Sequence, residues 1–175
     1  NTPGNEDQRY LFQVASVGYE LAEVERQIGD TAAAIEGYRD TIRVLEDIET
    51  APDADWRVDE LSLAARIALS GRLLFESDYQ KALEILNEAR SMAEGFAIED
   101  PSIAAWPRSL ASIVYQTGYL HFLSGESARS LELLDEARAL YEELVVTDRT
   151  RVEWRPRLAE TLTRTGMVHA DSGQA

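Results

Sequence analysis

The chain has 175 residues, of which 45% are hydrophobic and 8% aromatic, and 17 basic against 32 acidic residues give a formal net charge of −15. A surface that binds nucleic acid normally carries a basic stripe, so this balance argues against nucleic acid as the main partner. Cysteine is absent, which excludes disulfides, thiolate metal sites and cysteine nucleophiles and favours an intracellular, cytoplasmic location.

A helical pattern begins at Tyr10, after residues 1–9, which are polar and contain the proline and glycine typical of a linker. Large apolar residues then recur every two to four positions, as one apolar face of a helix requires. Gly29-Asp30 predicts a turn, because glycine adopts the left-handed backbone that ends a helix, and Asp30 or Thr31 can accept the free amide hydrogens that start the next helix. Pro52 ends the second helix.

The rest of the chain repeats this helix–turn–helix plan. Further turns are predicted at Ser77 and Gly125, Asp100-Pro101 ends the second hairpin, and Pro107 fits the first turn of the next helix. The sequence therefore predicts seven helices in three and a half hairpins, at about residues 10–52, 56–101, 106–148 and 154–175.

The hairpins share a fixed period of 48 residues. Similar segments begin at positions 29, 77 and 125, and a further step reaches Gly173, so the chain is predicted to be a piece of a longer protein. Such a period is typical of a repeat array, whose hairpins stack and share a continuous core. An aromatic residue opens each unit and is expected to fill the gap between neighbouring hairpins (Tyr10, Trp56, Trp106 and Trp154).

The repeated residues resemble the tetratricopeptide repeat family over nearly the whole chain. Equivalent positions of the second helices hold small or apolar residues (Ala34/Ala82/Ser130, Thr41/Ala89/Ala137 and Ile35/Leu83/Leu131), with Tyr38/Leu86/Leu134 at the large position. The 48-residue period, in place of the usual 34 residues, resembles a long-period variant common in large bacterial proteins. The resemblance implies an all-α fold, a right-handed α-α superhelix (a solenoid of about seven helices) with the first helices lining its concave face.

The resemblance also implies a function, a non-catalytic scaffold that binds a peptide or a helical segment of a partner protein in the concave groove. Because the chain is acidic, a basic partner and salt-sensitive binding are expected. The alternative is an intramolecular regulatory or oligomerisation module of a larger bacterial signalling protein, docking on another domain or on a second copy. It is suggested by the unpaired last helix, whose apolar face is predicted on Leu158, Leu162 and Val168.

The geometry of the family places one set of side chains in this groove. Tyr115, Tyr119 and Phe122 follow an i, i+4, i+7 stripe, and exposed aromatic clusters are frequent binding anchors. The alternative is that these aromatics pack against neighbouring helices. The predicted partner-binding residues are Tyr19, Glu23, Arg26, Ile67, Leu74, Tyr115, Tyr119, Phe122 and Met167, with Gly71 and Thr163 beside them.

Catalytic and metal-binding patterns are weak. His121 and His169 lie one period apart, but equivalent residues of stacked helices are about 10 Å apart, too far to share one ion, so packing or hydrogen bonding is favoured. Carboxylates on the second helices are typical of a solvated outer face, and no phosphate-binding glycine loop appears. No apolar run approaches the ~18–20 residues that span a bilayer. The sequence predicts no enzyme, no cofactor, no metal and no membrane contact.

Overall fold

A computed structural model describes residues 3–49, 55–147 and 152–173, and these ranges contain seven α-helices and no strand. The predicted all-α fold and the number of helices are therefore confirmed for the described residues. None of these helices has the length and apolar character needed to cross a membrane. The helices are α1 (Pro3–Ile28), α2 (Thr31–Glu49), α3 (Trp56–Phe75), α4 (Tyr79–Glu99), α5 (Ala105–Leu123), α6 (Ser127–Thr147) and α7 (Trp154–Asp171).

The chain divides into two compact units, Asn1–Ile85 and Leu86–Ala175. In the first unit α2 packs against α1 on one side and α3 on the other, and α1 also touches α3. In the second unit α6 packs in the same way between α5 and α7, and α5 touches α7. In each of these two sets of three helices, helices that follow one another in the sequence are therefore neighbours in space, as in a stack of hairpins.

The first helix starts earlier than predicted. Residues 1–9 were expected to be a linker, but α1 begins at Pro3. Proline is tolerated in the first helical turn, where its missing amide hydrogen is not needed, and Glu6 in that turn is favoured by the helix dipole. The predicted end of the second helix at Pro52 lies outside the described residues. The predicted end before Asp100-Pro101 is confirmed by α4.

The four turns spaced by 48 residues share one backbone geometry. The φ angle is +88° at Gly29, +62° at Ser77, +80° at Gly125 and +70° at Gly173. In the first three turns, the amide of the following residue also bonds the carbonyl five positions before it, at 2.9, 2.9 and 2.8 Å, which closes the preceding helix. The repeat found in the sequence is thus a repeat of the backbone.

Ser77 is the one turn position of the four that is not glycine, and it is expected to be strained. A left-handed backbone costs an L-residue about 1–2 kcal/mol, and glycine avoids that cost. Glycine also increases the conformational entropy of the unfolded chain, which offsets part of this gain. Ser77→Gly is therefore expected to raise the free energy of unfolding by a net amount of about 0.5–1 kcal/mol. Urea denaturation followed by circular dichroism measures this change. Gly125→Ser is the reciprocal control and should destabilise; a loss of stability in Ser77→Gly would contradict the explanation.

Small residues bring the helices close together. Ala34, Ala82, Ala89 and Ser130 are fully buried, as their place in the repeat predicted. A Cβ atom at Gly118 would lie 3.2 Å from the Cβ of Leu133, so the close approach predicted there is confirmed.

The large apolar face of α1 does not form the core. Phe12 packs against the core, but the other large side chains predicted on this face are exposed, and Ala15 and Ala22 are buried instead (Val14, Val17, Leu21, Val24 and Ile28 are the exposed ones). The reason is that α2 approaches α1 closely over small residues, because a Cβ at Gly37 would lie only 2.8 Å from the Cβ of Ala22. A face with large side chains could not be approached so closely.

The aromatic residues that open the units fall into two groups. Trp106 and Trp154 are buried, and the Trp106 ring lies 5.1 Å from the ring of Phe96. Their predicted filling role is consistent with this burial. Tyr10 and Trp56 are 66% and 41% exposed, so the same role is wrong for them.

The apolar face predicted on α7 also needs correction. Val168 is buried in the core of the second unit and Leu158 packs against that core, so neither is part of an open face. Leu162 is 48% exposed and is the one member of the predicted set that lies at the surface.

Candidate functional site

The predicted binding residues of the second unit lie on α5 and α7 around one arginine. The rings of Tyr119 and Phe122 stack with their centres 6.4 Å apart and their planes at 30°. The guanidinium carbon of Arg164 lies 4.0 Å from the centre of the Tyr119 ring, within the range of a cation–π contact. Met167 is 47% exposed, and its sulfur lies 4.0 Å from an Nη atom of Arg164. These four residues are called the α5–α7 patch below.

Tyr115 lies beneath this patch. It is 7% exposed and belongs to the core of the second unit, so its ring is not at the surface with Tyr119 and Phe122. Its hydroxyl donates a hydrogen bond to Oε1 of Glu160 at 2.8 Å and accepts one from Nε of Arg164 at 3.3 Å. Tyr115 therefore holds the arginine of the patch in place, whereas the sequence predicted that it would contact a partner.

The protonation state of Tyr115 is well defined. Burial raises the pKa of Tyr115 to about 12, and Glu160 adds to the increase while the hydrogen bond from Arg164 opposes it. The hydroxyl is consequently neutral at ordinary pH and can donate to Glu160 while it accepts from Arg164.

The predicted binding residues of α1 also form one cluster, in the first unit. Tyr38 on α2 is fully buried and its hydroxyl donates to the carboxylate of Glu23. The same carboxylate accepts two hydrogen bonds from Arg26, at 3.0 Å from Nε and 2.8 Å from Nη2. The ring of Tyr19 lies 5.8 Å from the ring of Tyr38. The structure thus brings Tyr19, Glu23 and Arg26 together.

The charges of this cluster are fixed by its hydrogen bonds. Burial opposes the ionisation of Glu23, but the hydrogen bonds from Arg26 and Tyr38 outweigh it and lower the pKa of Glu23. Burial raises the pKa of Tyr38, and the hydrogen bond to Glu23 raises it further. Burial also raises the pKa of Tyr19 to about 12. At neutral pH the cluster is an Arg–Glu ion pair flanked by neutral tyrosines.

The remaining predicted positions lie on α3 and α7. Ile67 and Leu74 are partly buried. A Cβ atom at Gly71, between them on the same stripe, would meet nothing within 4 Å, so this part of α3 has open space beside it. Thr163 on α7 is exposed.

Three residues important to these clusters were not predicted, namely Tyr38, Glu160 and Arg164. Arg164 is four positions after Glu160 on α7, a spacing at which helical side chains are neighbours, so the pair was visible in the sequence. The contact of these two residues with Tyr115 could not be predicted, because it depends on how α7 packs against α5, which lies about one repeat earlier in the sequence. Tyr38 was assigned to packing by its place in the repeat and serves both packing and hydrogen bonding.

His121 and the outer carboxylates have local contacts. Nδ1 of His121 lies 3.1 Å from Oε2 of Glu126 across the turn, in accordance with the predicted hydrogen-bonding role. Glu132 and Asp135 on α6 are solvent-exposed and pair with arginines one turn away, at 2.6 and 3.5 Å. In the ranges that the structure describes, no group of three or more His, Cys, Asp or Glu side chains is placed to hold a metal ion.

No family model matches the chain, and a search of curated proteins finds no match for it either. The likeness to tetratricopeptide repeats therefore stays a prediction, based on the period and on the placement of small residues in the second helices.

Proposed function

We propose that this chain is a tetratricopeptide-like, non-catalytic interaction module that binds a peptide or a helical segment of a partner protein. The observation that carries the proposal is the α5–α7 patch, where a guanidinium lies over Tyr119 beside the exposed side chain of Met167. Aromatic and arginine side chains are enriched among the residues that dominate binding energy. A bacterial, cytoplasmic setting belongs to the same proposal and is supported by the lack of cysteine and by an arginine-rich composition with one lysine.

The patch is suited to recognition because its parts are already ordered. Arg164 is held by the hydroxyl of Tyr115 and by the ring of Tyr119, so a ligand would not have to immobilise this long side chain. Such preorganisation lowers the entropic cost of binding. An apolar or aromatic side chain of the ligand would contact the Met167 sulfur and the Tyr119 ring. The net charge of −15 would favour basic residues in the ligand.

Partner capture tests this proposal with variants chosen from the structure. Tyr119→Ala with Met167→Ala removes the surface of the patch but leaves the buried Tyr115 and the core contacts of Phe122 intact. We expect the double variant to lose a partner that the native chain retains from a lysate of the source organism, with an affinity lower by about tenfold or more for two such contacts.

The matched control alters two exposed apolar residues outside the patch, Ile98→Ala with Val146→Ala, whose side chains are 82% and 63% exposed. This variant should retain the same partner. Circular dichroism must show that all variants are folded. Equal capture by the native chain and the folded patch variant would refute a binding role for the patch.

A regulatory or oligomerisation module is the second candidate, and α7 supplies its observation. Ala159, Leu162 and Gly166 are exposed on α7. They lie one period after Ala111, Val114 and Gly118, which are buried on α5. On α5 this face is covered by another helix. The equivalent face of α7 is therefore exposed, and another domain or a second copy of the chain could pack against it. Sedimentation at high concentration tests self-association, and a monomer would count against that form of the candidate.

A further inference from the structure

Six large apolar side chains lie exposed along one face of α1. Their positions advance by four, three, four, three and four residues, and this alternation is the spacing of the seam positions in a coiled-coil heptad. They are Tyr10, Val14, Val17, Leu21, Val24 and Ile28, with exposed fractions of 66, 41, 68, 56, 51 and 75%. We call this set the α1 seam. At 1.5 Å per residue it is about 27 Å long.

The α1 seam is separate from the face that holds α1 in its unit. Ala15 and Ala22 are fully or almost fully buried, and Gly18 and Gly37 give α1 and α2 their close contact. The seam residues thus contribute little to the packing described above. A contiguous apolar patch of this size on a soluble surface is typical of an interaction site.

The spacing of the seam identifies a helix as the complementary shape. A strict 3.5-residue repeat keeps an apolar stripe facing a second helix along its whole length, whereas an extended peptide would match it only locally. The positions that flank a seam then decide which helix fits, because they form ion pairs across the interface. The flanking positions from residue 6 to residue 27 are Glu6, Leu11, Gln13, Gly18, Glu20, Glu25 and Gln27.

These flanks carry three carboxylates and no basic side chain, which disfavours a second copy of the chain. An antiparallel pair aligned over the whole seam would place Glu20 beside Glu20 of the other copy. In a parallel pair, Glu20 of each copy would lie beside Glu25 of the other copy, which gives two such contacts. Like charges at such positions are destabilising, and the net charge of −15 on each copy adds long-range repulsion.

We propose that the α1 seam binds an amphipathic helix of a partner protein, one whose own apolar seam is flanked by lysine or arginine. This surface is distinct from the α5–α7 patch, and the proposal does not depend on that patch. Basic flanks would pair with Glu6, Glu20 and Glu25, while the apolar seams exclude water between the helices. Binding should therefore weaken as salt increases but persist through the apolar contacts.

Two synthetic helices of about three heptads test the proposal. Both carry Leu and Ile in the seam, one has lysine at every flanking position, and the other has glutamate there. Fluorescence anisotropy of the labelled peptides measures their affinity for the complete chain. We expect the lysine peptide to bind and the glutamate peptide to bind at least tenfold more weakly. In the Glu20→Lys variant, the ratio of the affinities of the two peptides should be several-fold smaller.

The seam itself is tested by Val17→Asn with Leu21→Asn. Both side chains are more than half exposed, at 68 and 56%, so the fold should persist, and circular dichroism checks this. We expect this variant to bind the lysine peptide at least tenfold more weakly. The control Ile98→Asn with Val146→Asn changes two exposed apolar residues elsewhere and should bind as the native chain does.

Three results would each overturn the proposal. The first is equal binding of the lysine and glutamate peptides. The second is equal binding of the lysine peptide by the seam variant and the control. The third is a dimer of the unliganded chain in sedimentation that Val17→Asn with Leu21→Asn dissociates, because a second copy would then occupy the seam.

Discussion

Gly37→Ala is expected to destabilise the protein by about 1–3 kcal/mol, although alanine is the better helix former by about 1 kcal/mol. The added Cβ would lie 2.8 Å from the Cβ of Ala22 and 3.5 Å from its Cα. Neither atom belongs to a flexible side chain, so α1 and α2 must separate to make room. Separation would loosen the contacts of Ala15 and Ala22, which are buried at this interface.

Urea denaturation followed by circular dichroism measures this effect, and two variants make it specific. Gly71→Ala is the matched control, since a Cβ there meets nothing within 4 Å, and it should stabilise by about 0.5–1 kcal/mol. Ala22→Gly combined with Gly37→Ala transfers the methyl group from one helix to the other and should recover part of the loss. If Gly37→Ala and Gly71→Ala stabilise equally, the close approach of α1 and α2 is wrong.

Raising the pH from about 9 to about 12 is expected to destabilise the fold by several kcal/mol, because buried tyrosines must ionise. Burial raises the pKa of Tyr115 and of Tyr19 to about 12, and it also raises the pKa of Tyr38 and Tyr141. In the unfolded chain each tyrosine ionises near pH 10. The stabilisation is thus fully present below about pH 10 and is lost as the pH rises toward the folded-state values.

Tyr115 is expected to make the clearest single contribution to this loss of stability at high pH, because its side chain is almost entirely buried. The difference between a pKa of about 12 in the folded chain and about 10 in the unfolded chain corresponds to about 2–3 kcal/mol of this loss of stability. In Tyr115→Phe this part of the pH dependence should disappear, whereas the native chain should keep it. Urea denaturation at several pH values measures both. A stability of the native chain that stays constant between pH 9 and pH 12 would contradict the burial of these hydroxyls.

The turns could be predicted from the sequence because they depend on local backbone chemistry. Glycine or serine at positions 29, 77, 125 and 173 marks the left-handed residues, and the side chains of Asp30 and Asp78 accept a backbone amide at the start of the next helix. The small residues that permit close packing were visible for the same reason, since their size is a property of each position alone.

Which side of each helix is buried could not be predicted as well. Two faces of α1 are apolar, one with small and one with large side chains, and only the approach of Gly37 to Ala22 decides which is buried. On α5, contacts with both α6 and α7 cover a wide arc that includes Tyr115 and leaves Tyr119 partly exposed. The position of Arg164 over Tyr119 depends on the same packing. Sequence periodicity identifies a stripe but does not identify what covers it.

The turns at Gly125 and Gly173 both contain a left-handed glycine, with φ of +80° and +70°, and this has a consequence for how such a chain can lengthen. A segment cut after Gly125 and a segment cut after Gly173 both end in a glycine of this conformation. Duplication of residues 126–173 behind Gly173 would therefore join without a new linker. The inserted helix would meet Ala159, Leu162 and Gly166, which are exposed now. Growth by whole modules, in evolution or in the laboratory, requires no change in the turns themselves.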